Sequence, residues 1–135
     1  MRSMITWLVA CALGFFWAYC ASAAGVIESK REFDAVISNM KRPAVIMEHA
    51  DWCFWCKKAM PAYLMEEKFF AGKVDFYVVD VDKFKMPLGH KAEGIPAFTC
   101  GRTKAELLSG KRQLDGYLPE PRFGQFLELC TGVTP

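Results

Sequence analysis

Two cysteines separated by two residues, Cys53 and Cys56, carry the most reactive chemistry in this sequence. Such a pair can be a redox dithiol, half of a metal site, a haem attachment point or a structural disulfide. Haem attachment requires a histidine directly after the second cysteine, where Lys57 stands. A four-cysteine zinc site would need Cys100 and Cys130, whose wide separation differs from the two close pairs of a zinc ribbon. A disulfide that closes so short a loop adds little stability, so the residues favour a redox dithiol.

The pattern around the pair predicts that it lies where a strand ends and a helix begins. Residues 44–50 form a short apolar run, and helical spacing follows Cys53 as far as Gly72. The free amides and the dipole of a helix N-terminus favour a thiolate and lower the pKa of a cysteine there by about one unit. A thiolate at Cys53 can attack a disulfide, and Cys56 can then resolve the mixed disulfide.

The rest of the chain predicts an α/β domain in which helices cover both faces of a small mixed sheet. The β-branched and aromatic run at 74–82 is typical of a strand, and the capping-box pair Ser29 and Glu32 precedes a helical pattern. The other predicted elements are a helix at 30–41, a loop or weak helix at 83–93, a strand at 95–100, a hairpin turning near Gly110 and a last helix at 120–130.

The N-terminus has the composition of an export signal. Arg2 precedes an apolar run over 4–19, and the sequence Ala-Ser-Ala at 21–23 has the form of a cleavage site. We therefore expect a signal peptide at 1–23 and a mature domain at 24–135; the alternative is an uncleaved membrane anchor. An exported, periplasmic chain matures where disulfides persist.

Composition limits the remaining classes of function. A chain of 135 residues with 53% hydrophobic and 24% charged side chains has room for one packed domain. The net charge of +2 is too small to indicate a polyanionic partner, and no nucleic-acid motif is present. We predict no nucleic-acid partner.

Four segments of the sequence resemble the thioredoxin family. The segment ADWCFWCKKAMP is similar to the family's active-site segment, and its ADWC..CK form is most similar to the C-terminal domains of periplasmic thiol:disulfide interchange proteins. The segments GKVDFYVVDVD, GIPAF and DGYLPEPRFGQFLEL resemble the central strand, the cis-proline segment and the final helix, in the family's order. The resemblance implies a thioredoxin-like fold over 24–135 and thiol:disulfide oxidoreductase activity.

The resemblance also implies a role for each matching residue. Cys53 would be the exposed nucleophile and Cys56 the buried resolving thiol, so that their disulfide replaces any cofactor and no metal is needed. Trp52 would brace the active-site loop. Pro96 would be cis and face the dithiol, and Ile95 would offer its backbone to a substrate strand; the alternative for Pro96 is an ordinary turn.

Two residues of the strand before the dithiol depart from the family pattern. Met47 stands where the family keeps a buried acid, and Glu48 should point to the opposite face of the strand unless the register is shifted. His49 stands where an aromatic residue is usual. It either tunes the thiolate of Cys53 or is a partly exposed structural histidine.

The residues between the two cysteines bear on the direction of electron flow. Oxidising relatives place a histidine there, whereas Phe54 and Trp55 offer no cation, and only Lys57 and the helix terminus support the thiolate. This favours a reductase, or a relay of electrons to protein disulfides from a membrane or periplasmic thiol reductant; the alternative is an oxidase or isomerase. The two rings either form an apolar docking patch or pack against a neighbouring loop.

The two other cysteines of the predicted mature chain leave alternatives open. Cys100 and Cys130 either form a structural disulfide or remain independent buried thiols. A non-enzymatic module that binds a partner, or that binds copper through soft thiol ligands, is the alternative from a different class of function.

Overall fold

The computed structural model describes residues 24–135, so the predicted signal peptide at 1–23 lies outside the described residues. Residues 24–135 form the strands and helices β1 (Gly25–Ile27), α1 (Lys30–Asn39), β2 (Ala44–His49), α2 (Phe54–Phe69), β3 (Asp75–Asp80), β4 (Ala97–Gly101), α3 (Lys104–Ser109), β5 (Gln113–Asp115) and α4 (Arg122–Thr131). In this part of the chain no helix is long and apolar enough to cross a membrane.

The strands form one mixed sheet with the order β1-β3-β2-β4-β5. Strand β3 pairs in parallel with both β1 and β2, and β4 pairs antiparallel with both β2 and β5. The strand-helix-strand unit β2-α2-β3 supplies the parallel half, because a parallel pair requires a crossover connection. The predicted mixed sheet flanked by helices is therefore confirmed.

Strand β2 lies in the middle of the sheet and is covered on both faces. Val45 and Met47 belong to one core cluster, and Ala44 and Ile46 belong to the other. Successive side chains of a strand point to opposite faces, so a run that is apolar at every position fits a strand buried on both sides.

The two cores differ in the helices that cover them. The dithiol-side core contains Cys53 and Cys56 and is covered by α2 and α4. There the hydroxyl of Tyr63 on α2 donates to the carbonyl oxygen of Tyr77 at 2.6 Å and ties the helix to the sheet. The opposite core lies under α1 and α3, which contribute Phe33 and Leu107.

The structure corrects one predicted element and adds another. The hairpin predicted near Gly110 is wrong, because the segment forms helix α3 before the chain enters β5. The hydroxyl of Thr103 accepts a hydrogen bond from the backbone N–H of Glu106 at 3.2 Å and begins α3, and Gly110 ends it at a φ of 65°. Strand β1 was not predicted; its three residues are too few to show a period.

Candidate dithiol active site

The two cysteines at the end of β2 form a disulfide at the start of α2. Cys53 is the N-cap residue of the helix, and its Sγ atom accepts a hydrogen bond from the backbone N–H of Cys56 at 3.1 Å. The Cα atoms of the pair are 5.2 Å apart. The backbone N–H of Cys53 donates to the carbonyl of Ala50, so a tight turn connects β2 to the helix. The sequence thus places a sulfur atom where the free amides of the first helical turn converge.

Both cysteines are largely buried. Cys53 is 6% exposed and Cys56 is 2% exposed, so the predicted exposed position of Cys53 is wrong in degree, although it remains the more accessible of the two. The segment before β4 contributes to the burial of Cys53, since the carbonyl oxygen of Ile95 lies 3.7 Å from its Sγ atom.

The pairing of β2 with β4 brings the predicted proline segment to the dithiol. The peptide bond between Ile95 and Pro96 is cis, and Pro96 is buried. Ala97, the next residue, pairs with Glu48 on β2, and Glu48 lies five positions before Cys53. Two segments more than 40 residues apart in sequence therefore form one site.

Trp52 stands beside the disulfide with its ring exposed. The side chain is 69% exposed, and its Nε1–H donates to the carboxylate of Asp82 at 2.8 Å. Asp82 follows β3, and its backbone N–H donates to the side chain of Asp80. This contact ties the active-site turn to the end of the neighbouring strand, as a bracing residue would.

The aromatic residues between the cysteines are exposed to solvent, and one of them also contacts a neighbouring loop. Phe54 and Trp55 are 65% and 51% exposed, with their rings edge to face at 5.3 Å. Trp55 also stacks on Tyr117, from the segment after β5, at 5.7 Å. The ammonium of Lys58 lies 5.9 Å from the ring centre of Phe54 and 5.3 Å from that of Trp55. The patch is therefore exposed and supported by a neighbouring loop; no feature of the sequence pairs Tyr117 with Trp55.

The strand before the dithiol keeps its regular register. Met47 pairs with Val78 and Phe98 and is fully buried in the dithiol-side core, where the family pattern has an acid. Glu48 lies on the other face of the sheet, where it lines a cleft.

The two candidate tuning residues lie at the edges of the site. His49 is half-buried at the end of β2, and its carbonyl accepts a hydrogen bond from Val81. Within residues 24–135 no hydrogen bond joins its side chain to Cys53, and its tuning role stays a prediction. Lys57 is exposed on α2, and its backbone N–H donates to the carbonyl of Cys53 at 3.2 Å.

A cleft of about 690 Å³ opens between Trp52 and the loop that precedes β4. We call it the Glu48 cleft; its lining includes Glu48, Trp52, Met86, Leu88 and Ile95. Burial, and secondly the negative charge of Asp115, raise the pKa of the Glu48 carboxyl above its ordinary value. The sequence contained one signal for this cleft, since Glu48 is the one acid of β2 and follows four apolar residues.

The second cysteine pair also forms a disulfide. Cys100 on β4 and Cys130 on α4 are joined across 30 residues, with their Cα atoms 6.1 Å apart. Both lie in the dithiol-side core, and the carbonyl oxygen of Arg112 is 3.9 Å from each sulfur. Residues 24–135 contain no group of three or more His, Cys, Asp or Glu side chains that could hold a metal ion.

Comparison with known families identifies most of the described chain. A family model described as thioredoxin matches residues 25–118, which include β1 through β5, the dithiol and the Ile95–Pro96 segment. The matched region ends before α4.

Individual relatives agree with the family match. The chain is 43% identical over 42 residues to a thioredoxin of Borreliella burgdorferi, covering 31% of this chain and 36% of the relative. It is 40% identical over 60 residues to an H-type thioredoxin of Chlamydomonas reinhardtii, covering 42% of this chain and 53% of the relative. The matches thus span about a third to a half of these relatives. The crystal structure of a Malassezia sympodialis thioredoxin superposes with a TM-score of 0.61 at 26% identity, covering 79% of this chain and 90% of that one.

Proposed function

The chain belongs to the thioredoxin family, and we propose that it is a thiol:disulfide oxidoreductase whose Cys53–Cys56 pair reduces disulfides in protein substrates. The observation that carries this proposal is the position of the pair. The disulfide lies at the N-terminus of α2, with the sulfur of Cys53 accepting the backbone N–H of Cys56. The same hydrogen bond would stabilise a thiolate at Cys53 once the disulfide is reduced.

The exchange proceeds in two balanced steps from the reduced dithiol. The thiolate of Cys53 attacks one sulfur of the substrate disulfide, so that a mixed disulfide forms and the other substrate sulfur leaves as a thiolate. Cys56 then loses its proton and attacks the Sγ atom of Cys53, which releases the second substrate sulfur. Two electrons pass to the substrate, and the protein ends as the Cys53–Cys56 disulfide.

The closeness of the two cysteines supports the second step. Their Cα atoms are 5.2 Å apart, so the resolving thiol reaches the mixed disulfide without rearrangement of the helix. Met47 supplies no proton acceptor on this face of the sheet. We infer that water, reaching the site beside the Ile95 segment, accepts the proton of Cys56.

The reducing direction rests on the residues between the cysteines. Phe54 and Trp55 place rings beside the dithiol instead of a cation, and the ammonium of Lys58 lies over those rings. A thiolate with fewer cationic neighbours is less stabilised, which makes the disulfide a weaker oxidant. The competing function is that of a strongly oxidising disulfide donor or an isomerase.

The substrate surface that we propose consists of Trp52, Phe54, Trp55 and the Ile95–Pro96 segment. The three rings are exposed around the buried disulfide, and the Ile95 segment lies against Cys53. An apolar rim of this kind suits a flexible polypeptide that presents its disulfide between side chains. Partners of the protein are therefore disulfide-containing proteins and an upstream thiol reductant that renews the dithiol.

We further propose that the protein is exported to the periplasm, in line with thiol:disulfide interchange proteins of that compartment. The support is the sequence of residues 1–23 and the presence of a second disulfide, Cys100–Cys130, since disulfides persist in oxidising compartments. Determining the N-terminus of the protein recovered from cells tests this, and a mature chain beginning at Ala24 is expected.

The decisive experiment measures cysteine-dependent reduction and the reduction potential together. The wild-type protein should reduce insulin with dithiothreitol as electron donor, and the Cys53→Ser variant should not. The Cys56→Ser variant should retain substrate as a mixed disulfide at Cys53. Equilibration with glutathione buffers gives the potential. A reduction potential of about −120 mV, typical of strong periplasmic oxidants, would show that the protein oxidises its substrates and does not reduce them.

A further inference from the structure

The Glu48 cleft adjoins the dithiol through two shared residues. Trp52 directly precedes Cys53, the carbonyl of Ile95 lies 3.7 Å from the Cys53 sulfur, and both residues line the cleft. An extended polypeptide advances about 3.3 Å per residue. A substrate that is bonded to Cys53 therefore has its neighbouring residues beside this cleft.

Glu48 presents a carboxylate to the cleft without a partner of its own. The residue is half-buried on β2, and no side chain in residues 24–135 donates a hydrogen bond to it or forms an ion pair with it. The charge of another acid, Asp115, acts on it; Asp115 itself hydrogen-bonds Gln113 and the backbone of Glu93. A carboxylate in such a position is destabilised until a ligand supplies a donor.

The walls of the cleft specify the shape of that ligand. Met86 and Leu88 are buried side chains that give it an apolar lining, while the two lysines of the cleft, Lys85 and Lys91, are exposed at its rim. A cleft with apolar walls and one half-buried carboxylate matches a side chain with an aliphatic stem and a cationic end. Lysine and arginine have this form.

We propose that the Glu48 cleft selects substrate proteins that carry a lysine or arginine within a few residues of the disulfide to be reduced. The substrate's ammonium or guanidinium group donates to the Glu48 carboxylate, and its stem packs on Met86 and Leu88. Glu48 is then a specificity-determining residue that takes no part in the exchange of sulfurs. This inference rests on the proposed function, because its ligand is a disulfide substrate.

The test uses short cyclic peptides with one internal disulfide. At each position within four residues of the first cysteine, lysine is compared with norleucine, which keeps the aliphatic stem, and with glutamate. At one of these positions the wild-type protein should show a kcat/KM about tenfold higher for lysine than for norleucine, and a larger preference over glutamate. Equal values for the three peptides at every position would overturn the inference.

A pair of matched substitutions assigns the preference to Glu48. The Glu48→Gln variant should lower the ratio of lysine to norleucine kcat/KM to below about two, because the amide carries no charge. The Glu93→Gln variant removes an exposed carboxylate from the rim of the same cleft and should keep most of the ratio. Loss of the ratio in both variants, or in neither, would show that Glu48 is not the recognising group.

The outcomes distinguish a failure of the cleft selection from a failure of the proposed oxidoreductase function. Cys53-dependent reduction of every peptide at equal rates refutes cleft selection and leaves the oxidoreductase intact. No Cys53-dependent reduction of insulin or of any peptide refutes the oxidoreductase, and the selection falls with it. The wild-type comparison of lysine, norleucine and glutamate peptides decides the question even if Glu48→Gln does not fold.

Discussion

The disulfide at Cys53–Cys56 and the disulfide at Cys100–Cys130 share one core and have different surroundings. The first closes a separation of three residues at a helix N-terminus, beneath an exposed aromatic rim. The second closes 30 residues and joins β4 to the last turns of α4. Exchange requires access and a stabilised thiolate, whereas stabilisation grows with the length of the closed loop. The same bond therefore suits exchange at one site and cross-linking at the other.

The largest expected difference between the two disulfides is in turnover. Cys53→Ser should lower insulin reduction by about three orders of magnitude or more, because Cys53 caps α2 and is the more accessible sulfur of the dithiol. Cys100→Ser should keep activity within about a few fold. The measurement is the initial rate of insulin reduction, with folding of each variant checked by circular dichroism. Equal losses in the two variants would contradict different roles for the two disulfides.

Stability should show the reverse order. Replacing Cys100 and Cys130 together by alanine should lower the free energy of unfolding by about 3 to 4 kcal/mol, since the disulfide closes 30 residues. For a domain of this size the melting temperature should fall by about 10 to 15 °C. Replacing Cys53 and Cys56 should cost about 2 kcal/mol or less. Urea unfolding of both double variants measures the difference, and a greater loss for the Cys53–Cys56 pair would contradict it.

Much of the fold that carries the two disulfides was predictable from local signals. The capping pair Ser29 and Glu32 marked the start of α1. The hydroxyl of Ser29 accepts the backbone N–H of Glu32, and the Glu32 carboxylate accepts the N–H of Glu28, one residue before the N-cap. The same kind of pair, Thr103 and Glu106, begins α3, but only one of its six helical residues is buried. So short a helix shows no period, and Gly110 has the positive φ that a turn and a helix end share. The helix was therefore predicted as a hairpin.

The site was predictable where chemistry depends on neighbours in sequence, and less so where it depends on the sheet. The dithiol and Trp52 follow from one short segment. The stacking of Tyr117 on Trp55 and the cleft beside Glu48 arise because β4 and β5 bring distant segments to the end of β2. Contacts between residues that are far apart in the chain produce no recognisable pattern of spacing in a single sequence.

The helices that carry the disulfides also meet at a pair of acids, which gives a smaller effect. Glu66 on α2 is buried and hydrogen-bonds Glu120, which in turn accepts the backbone N–H of Gly124 on α4. Burial, then the negative charge of Glu120 and the hydrogen bond to it, and lastly the charge of Glu128, raise the pKa of Glu66 from 4.5 to about 7. Between pH 4.5 and about 7, Glu66 of the folded protein therefore keeps a proton that the unfolded chain releases.

The sign of the resulting pH dependence follows from proton binding. Between pH 4.5 and about 7 the folded protein binds more protons at Glu66 than the unfolded chain, so stability falls as the pH rises through this window. Allowing for solvent screening, the loss should be about 1 to 2 kcal/mol. Glu66→Gln should remove it, so that the variant exceeds the wild type in stability at pH 8 and not at pH 4. Urea titrations at several pH values test this, with the exposed Glu93→Gln as the control.

The smallest expected effect concerns the potential of the exchanging disulfide alone. Trp55→His should place an imidazolium beside the thiolate of Cys53 and raise the reduction potential by about 20 mV at pH 6, which is about 1 kcal/mol. The shift should shrink at pH 8, because an ordinary histidine is then neutral. The Cys100–Cys130 potential should not move, since that pair lies between β4 and α4.

A second substitution separates charge from packing at the same position. Trp55 stacks on Tyr117, so Trp55→His removes a ring contact as well as adding a cation. Trp55→Phe reduces the ring without adding charge and should leave the potential of the Cys53–Cys56 pair nearly unchanged at both pH values. Equal shifts in the two variants would assign the effect to the lost stacking on Tyr117. A shift confined to histidine, and larger at pH 6, would show that the absence of a cation between the cysteines sets the reducing character that we propose for this disulfide.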